Sequence, residues 1–449
     1  MELLTQFLLL NQNWRFREVV MDKAMSFLEK HCLTASSIDD KEVLSFFLSE
    51  MEKGLNEDET RTMIPTHVSI DGNVKSGENV IVLDAGGTNF RTCLVSFDSE
   101  KRPQISDFRK VRMPGLEKEV SAAEFYSILA DNVERLIDKA DRIGFCFSYA
   151  AEITEDHDGI PIIFSKEIKA PEVIGTRLGK CLLEELERRG YDCSKKRVSV
   201  INDTVATLLA AKAARSENAS SYIGFILGTG TNTAYIEKNE NIKKIRADQS
   251  GAQIINVESG DFGIHVGDLD ELFLKTTVDP DKYLMEKKIS GAYLGPFASL
   301  VIEKAIEEGV FSSQFRERYS KIDKLNTTRM SNYLEMPHNM DYDLVRCVDG
   351  NEDDASSLYL IISSVIERAA KLTALNLAAA VIKSGAGTEP RYPVVINADG
   401  TTFYKTEGLE FYTRMYLDLI LKKQYKRYYE VINVDSSPTI GAAIAGFSV

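Results

Sequence analysis

Apolar residues recur three to four apart through Val19, Met25, Phe27 and Leu28, and again from Val43 to Met51, so residues 1–60 read as helical. The stretch Met1 to Leu10 is expected to form an amphipathic helix. It carries Glu2 and no basic start, unlike a secretion signal, and it is too short to span a bilayer. Thr66 to Gly77 is polar and turn-rich. The pattern then changes. Val80 to Leu83 is an apolar run bounded by turn residues, which predicts a buried strand, with Phe90 to Phe97 as the return strand. Ile105 to Met113 reads as another strand. Ser121, with Glu124 three residues on, has the form of a capping box and opens a helix to about Lys139. Ile143 to Tyr149 predicts a second buried strand, followed by a polar loop from Thr154 to Asp158 and a short strand, Ile160 to Phe164. A helix is expected over Val173 to Arg189. Val198 to Ile201 then predicts a strand that runs through Asn202-Asp203-Thr204 into a helix, Val205 to Arg215.

Tyr222 to Glu237 repeats the strand–turn–strand pattern of residues 80–97, and Gly230-Thr231-Asn232 matches Gly87-Thr88-Asn89. The match suggests two hairpins from the halves of a duplicated fold; two unrelated hairpins are the alternative. Residues 266–350 are mostly helical and strongly charged. Leu358 to Lys383 is an Ala/Leu-rich helix suited to burial, broken by Ser384-Gly-Ala-Gly-Thr. Pro393 to Asn397 is a strand, Asp399-Gly400-Thr401 a turn, and a helix follows to about Lys423. Tyr429 to Asn433 is the last strand. Asp435 to Gly441 reads as a loop and Ala442 to Val449 as an apolar closing helix.

Strands and helices alternate without a low-complexity linker, so the fold class is α/β with mixed sheets. The 449 residues suggest two or three domains. A formal charge of −14, with no local Lys/Arg run, argues against a nucleic-acid partner. Six cysteines are scattered without a CxxC pair, the pattern of free thiols in a reducing cytoplasm. Nothing suggests insertion into a membrane.

Chemistry concentrates at the two turns. Adjacent glycines at Gly86 and Gly87 expose backbone N–H groups that can cradle a phosphate, and Thr88, Asn89 and Arg91 add side-chain donors. Asp84 ends the preceding strand, where a carboxylate can hold Mg²⁺ directly or through water. Asp203 lies at the carboxyl end of a strand, where open α/β sheets bind ligands. Asp261-Phe262-Gly263 spells a protein-kinase motif, but the other kinase segments are missing. No Walker A sequence is present.

These motifs resemble the hexokinase family, within the actin-like, ribonuclease-H-fold ATPase superfamily. Leu83 to Arg91 is similar to its first phosphate motif, and Leu227-Gly-Thr-Gly-Thr-Asn232 to its second. Gly144 to Ser148, Ser165-Lys166 and Asn202-Asp203-Thr204 resemble its sugar-site segments. Asn256-Val-Glu258 through Gly263, Met285-Glu286-Lys287 and Ser290 to Gly295 match in order. Thr327 to Ser331 and Asp399-Gly400 match more weakly. The chain departs from the family pattern at Ser259, where a Trp is usual, at Ala150 for Pro, at Ser165 for Thr, and in Asp435 to Gly441, which lacks a Gly-Ser-Gly-Lys pattern.

The resemblance implies a duplicated actin-like fold with a cleft between two lobes, residues 65–203 with 436–449 and residues 1–64 with 204–435. It implies ATP-dependent phosphorylation of a hexose, glucose first, at the 6-hydroxyl, as in the first step of glycolysis. Asp203 would be the general base. Ser148, Ser165, Lys166, Asn202, Asp203, Asn232, Glu258 and Glu286 would bind the sugar. Asp84, Gly86, Gly87, Thr88, Asn89, Arg91, Gly228, Thr229, Gly230, Gly400 and Thr401 would bind ATP, with Mg²⁺ near Asp84 through water. A non-catalytic sugar-binding regulator, a chaperone- or filament-type ATPase and a kinase with another acceptor are the competing readings. The helical N-terminus is compatible with dimerisation, regulation or simple packing, so a homo-oligomer is one outcome the sequence allows.

Overall fold

The computed structural model describes residues 23–57, 62–68, 74–164, 168–215, 217–244, 250–264 and 267–448. The helix expected at Met1 to Leu10 and the expected sugar-site pair Ser165 and Lys166 lie outside them.

The strands are β1 (Ile64–Pro65), β2 (Asn79–Ala85), β3 (Asn89–Phe97), β4 (Pro103–Arg112), β5 (Arg142–Phe147), β6 (Ala151–Ile153), β7 (Gly159–Pro161), β8 (Arg197–Ile201), β9 (Ser221–Leu227), β10 (Thr231–Lys238), β11 (Ala252–Asn256), β12 (Val394–Asp399) and β13 (Tyr429–Ile432). Of the two large sheets one has the order β4-β3-β2-β5-β8 and the other β1-β11-β10-β9-β12-β13, while β6 and β7 form a separate two-stranded ribbon. Without β1 the two are the same design. An antiparallel meander of three strands continues, beside its first member, through two parallel strands. The fold is therefore duplicated, as the paired hairpins suggested. The turns are not in step, however. Gly86 N donates to Asn89 O at 3.0 Å and Gly228 N to Gly230 O at 2.9 Å. Gly86 thus corresponds to Gly228, and the matching Gly-Thr-Asn triplets occupy different places.

The interior strands are apolar because both faces are covered. β2 is buried from Val80 onward. The first sheet packs outward on the helices Ala122–Val133 and Leu178–Arg188. The second packs outward on the helix Glu352–Lys383, about 48 Å long by its residue count. Asn351 caps that helix, accepting from the Asp353 and Asp354 N–H groups, and three acids fill its first turn.

Between the sheets lie two helices, each attached to one sheet and packed on the other. Asp203–Ala214 follows β8 but rests on β9, β10 and β12; Ser437–Gly446 follows β13 but rests on β2, β5 and β8. Glycines let backbones meet at each contact. A Cβ on Gly224 of β9 would stand 2.1 Å from Thr204 O, one on Gly441 1.9 Å from Ala206 O, and one on Gly144 of β5 1.9 Å from Ala442 O. No side chain fits at those distances.

Several local expectations are revised. The closing helix begins at Ser437, inside the stretch read as a loop, because Pro438 occupies its first turn, where a missing N–H costs nothing. The helix expected after Thr401 is interrupted at Gly408, whose φ is +80°, between Thr401–Lys405 and Leu409–Leu417. A 3₁₀ turn, Pro171–Val173, replaces the first turns expected of the helix that begins at Leu178. Ser121 caps as expected through Glu124 N, but the Glu124 carboxylate bonds Lys118 instead of closing the box. Among the described residues no helix is long and apolar enough to cross a membrane.

Candidate active site

Hairpin register builds the first half of the site. Asp84 and Arg91 are direct cross-strand partners in β2 and β3, so their side chains emerge on one face. Arg91 Nη1 donates to Asp84 Oδ2 at 2.7 Å. The expected phosphate-binding charge of Arg91 is thus tied to Asp84. Burial raises the Asp84 carboxyl, the Arg91 guanidinium pulls it part of the way back, and Asp399 raises it further. Tyr149 supports the turn from below, its hydroxyl donating to Gly86 O at 3.1 Å.

Asp203 enters from the other side. Asn202, not Asp203, caps the helix Asp203–Ala214, its Oδ1 accepting from Thr204 N at 2.8 Å. The Asp203 carboxylate is therefore left to face the cleft. Burial pushes it up to about 6; a hydrogen bond from Ser148 opposes the rise and the charge of Asp84 adds to it. Asp84, Gly86, Gly87, Thr88, Asn89, Arg91, Ser148, Asp203 and Gly400 line one cleft of about 240 Å³, with Ile226, Asp399 and Pro438.

The second turn packs against Gly400 at the edge of the cleft. Gly228 O accepts from Gly291 N at 2.9 Å and from Thr402 Oγ1 at 2.8 Å, and Thr229 O accepts from Ala292 N at 3.2 Å. Gly86 N and Gly228 N close their own turns, so these two glycines shape the loops and do not offer donors to a ligand. Gly400, at φ +118°, permits the approach of β9: a Cβ there would lie 2.3 Å from Leu227 O. Thr401 is exposed at the start of its short helix, and its neighbour Thr402 makes the contact to the turn.

Sugar-site candidates converge beside Asp203. Asn232 Nδ2 donates to Asn256 Oδ1 at 2.8 Å, to Glu258 Oε1 at 3.2 Å and to Asn202 Oδ1 at 3.4 Å. Asn256 Nδ2 donates to the same Glu258 oxygen at 2.8 Å. Glu258 has φ +53°, a left-handed conformation rare for a residue with a Cβ and concentrated at functional sites. Burial pushes its carboxyl up to about 7, Asn256 opposing and Asp203 and Glu286 adding. Glu286 Oε2 accepts from Thr231 N at 3.0 Å; its carboxyl is raised, mainly by burial. Gly230 makes that bond possible, since a Cβ there would stand 2.5 Å from Glu286 Oε2.

Two residues of the site were missed in the sequence. Asn256 links Asn232 to Glu258; its place in the Asn-x-Glu segment at the end of β11 was the available signal. Asp399 lines the cleft and accepts from Gly400 N; it ends a parallel strand, where α/β sheets bind ligands. With Asp84 and Asp203 it makes three carboxylates around one cleft in which Arg91 is the one basic side chain of the lining. Such a site favours a cation. Among the described residues no three His, Cys, Asp or Glu could together hold a metal. The cleft's carboxylates suit a hydrated divalent cation held through water better than one bound directly.

Two hexokinase family models match the chain, over residues 24–213 and 222–448. Human Hexokinase-1 is 30% identical over 392 residues, spanning 81% of this chain and 42% of its own length. The chain therefore spans less than half the length of that relative. A hexokinase of Schistosoma mansoni is 28% identical over 420 residues, spanning 88% of this chain and 90% of its own. The solved structure of hexokinase from Schistosoma mansoni complexed with glucose shares the fold, with a TM-score of 0.79 at 23% identity, over 96% of this chain and 100% of that one. A glucokinase from an Antarctic psychrotroph matches with a TM-score of 0.51 at 16% identity, over 82% of this chain and 98% of that one.

Proposed function

The chain belongs to the hexokinase family, and from that membership we propose that it transfers the terminal phosphoryl group of ATP to the 6-hydroxyl of a hexose. Glucose is the first candidate, being the ligand of the Schistosoma relative. One arrangement supports the reading: Asp203, its carboxyl raised to about 6, lines a cleft together with the Gly/Thr turn at residues 86–88, and its neighbour Asn202 is bonded to Asn232 of an adjoining cluster of polar side chains.

A neutral hydroxyl is a poor nucleophile, and a base poised near neutral pH can take its proton as the new O–P bond forms. Asp203 is mostly ionised at pH 7 and holds that position. Phosphoryl transfer otherwise needs positioning and charge neutralisation. The N–H groups of Gly87, Thr88, Thr229 and Gly230 would receive the phosphates. When bound, Mg²⁺ supplies positive charge to the transferring phosphoryl group, and Asp84 would hold it through water. Asn202, Asn232, Glu258 and Glu286 offer fixed donors and acceptors to the sugar hydroxyls, with Ser148 at the side. Ser165 and Lys166 complete the set by resemblance. The two lobes, 65–203 with 436–449 and 1–64 with 204–435, would close over the sugar to exclude water. Sugar phosphorylation of this kind belongs to the entry into glycolysis in the cytoplasm.

A coupled assay of ADP release with Mg·ATP, with and without a panel of hexoses, tests the reading. ADP formed only in the presence of glucose or a close epimer is expected. Equal ADP release without sugar would instead indicate a simple ATPase, and hexose binding without turnover a regulator.

A further inference from the structure

We propose that Asn376, Thr233 and Ser259 form a buried brace that positions Asn232 and Glu258 for the hexose, an inference that rests on the function assigned above. Asn376 Nδ2 donates to Thr233 Oγ1 at 2.8 Å, and that hydroxyl meets Ser259 Oγ at 3.0 Å. The three side chains are 3%, 1% and 0% exposed. None lines the cleft. An amide and two hydroxyls in an otherwise apolar interior are tolerated only because they bond one another.

The placement gives the brace its role. Thr233 directly follows Asn232, and Ser259 directly follows Glu258. Thr233 N donates to Asn232 Oδ1 at 2.7 Å. That bond holds the amide oxygen inward, so that Nδ2 turns to Asn256 and Glu258. Thr233 O accepts from Val257 N at 2.9 Å, locking β10 to the segment before Glu258. Glu258 holds its left-handed backbone between that bond and the 3₁₀ turn Ser259–Asp261, whose first residue the brace grips. A strained residue persists when its surroundings over-determine it, and here the surroundings end at Asn376, in the C-terminal third of the helix Glu352–Lys383. Ser259 is also a position where the chain departs from the family pattern. These are positioning residues; none touches the sugar.

Steady-state kinetics on Thr233→Val and Thr233→Ser, with calorimetric titration of glucose into each, test the proposal. Valine keeps the shape and removes the hydroxyl, while serine keeps the hydroxyl. Thr233→Val is expected to raise the glucose KM and Kd about tenfold, the ratio one buried hydrogen bond is worth. The kcat should stay within about threefold and the ATP KM should not move, the pattern of lost uniform binding. Thr233→Ser should restore the wild-type values. A Thr233→Val enzyme with wild-type glucose KM and Kd overturns the brace. Should that variant fail to fold, Ser259→Ala carries the same expectation and the same refutation. Wild-type protein that binds glucose without releasing ADP removes the kinase reading alone, and the titrations still decide the brace. Wild-type protein that neither binds nor phosphorylates any hexose overturns both.

Discussion

Replacing Asp203 by Asn exchanges one oxygen for an NH₂ group at nearly constant volume, and it acts on turnover and on stability in opposite directions. Burial raises the folded carboxyl from its ordinary 3.8 to about 6. Below pH 3.8 the group is protonated in both the folded and unfolded chain. Between 3.8 and about 6 the unfolded chain loses the proton first, so the folded state loses stability as pH rises. Above 6 the cost is constant, about 3 kcal/mol at 1.36 kcal/mol per pH unit. Asn removes it. A carboxylate at the N-terminal turn of the helix is also favourable by roughly 0.3–1 kcal/mol, so the net gain expected for Asp203→Asn at pH 7.5 is about 2 kcal/mol. Asn202 keeps the cap, so the helix start is unaffected. Urea unfolding of both proteins at pH 4 and pH 7.5 measures the effect; the difference should shrink towards zero at pH 4. Turnover should fall at least about 10²-fold, as for a lost general base. Wild-type kcat should itself decline below pH 6. A stability difference that does not change between the two pH values would refute the burial argument, and a variant with near-wild-type kcat would refute the assignment of the base.

Gly230→Ala should raise the hexose KM about tenfold with little change in melting temperature. Its Cβ displaces the mobile end of Glu286 from Thr231 N, whereas the backbone is untouched. Gly441→Ala should do the reverse: the new Cβ would stand 1.9 Å from Ala206 O, which cannot move alone. A loss of about 3 kcal/mol or more is expected, read as a lower urea midpoint and a lower soluble yield.

The parts of the fold legible in the sequence were those whose signal is local. Val80 to Leu83 and Tyr222 to Leu227 are apolar runs that lead into glycine-containing turns, and both became central strands. β1 left no trace. It is two residues long and exists because Ile64 and Pro65 pair with Asn256 and Ile255, a partnership no window can contain. The C-terminal helix was read too short because Pro438 signals a turn as readily as a helix start. The same division holds in the site. Asp84 and Asp203 could be singled out as candidates, each standing at the end of a strand beside a turn, and both line one cleft. Asn256 was overlooked because its function is a bond to Asn232, which belongs to a neighbouring strand. The cross-pairing of Arg91 with Asp84 follows from register and could have been read from the hairpin alone.

The exchange of helices between the two sheets has a consequence for how the polypeptide is made. The face of β5 at Gly144 is covered by Ala442, and Arg142 donates to Gly446 O, a residue 304 positions further along. At a ribosomal rate of 5–20 residues per second, that cover is synthesised roughly 15 to 60 s later. The first sheet must wait all that time with an apolar face open, formed by Val80, Val82, Cys146 and Ile201 around Gly144, a surface that chaperones can bind. By the same logic, fragments cut between residues 213 and 222 would each lack one layer of the stack. Co-expressed, the two should rescue each other's solubility, each supplying the helix that the other needs.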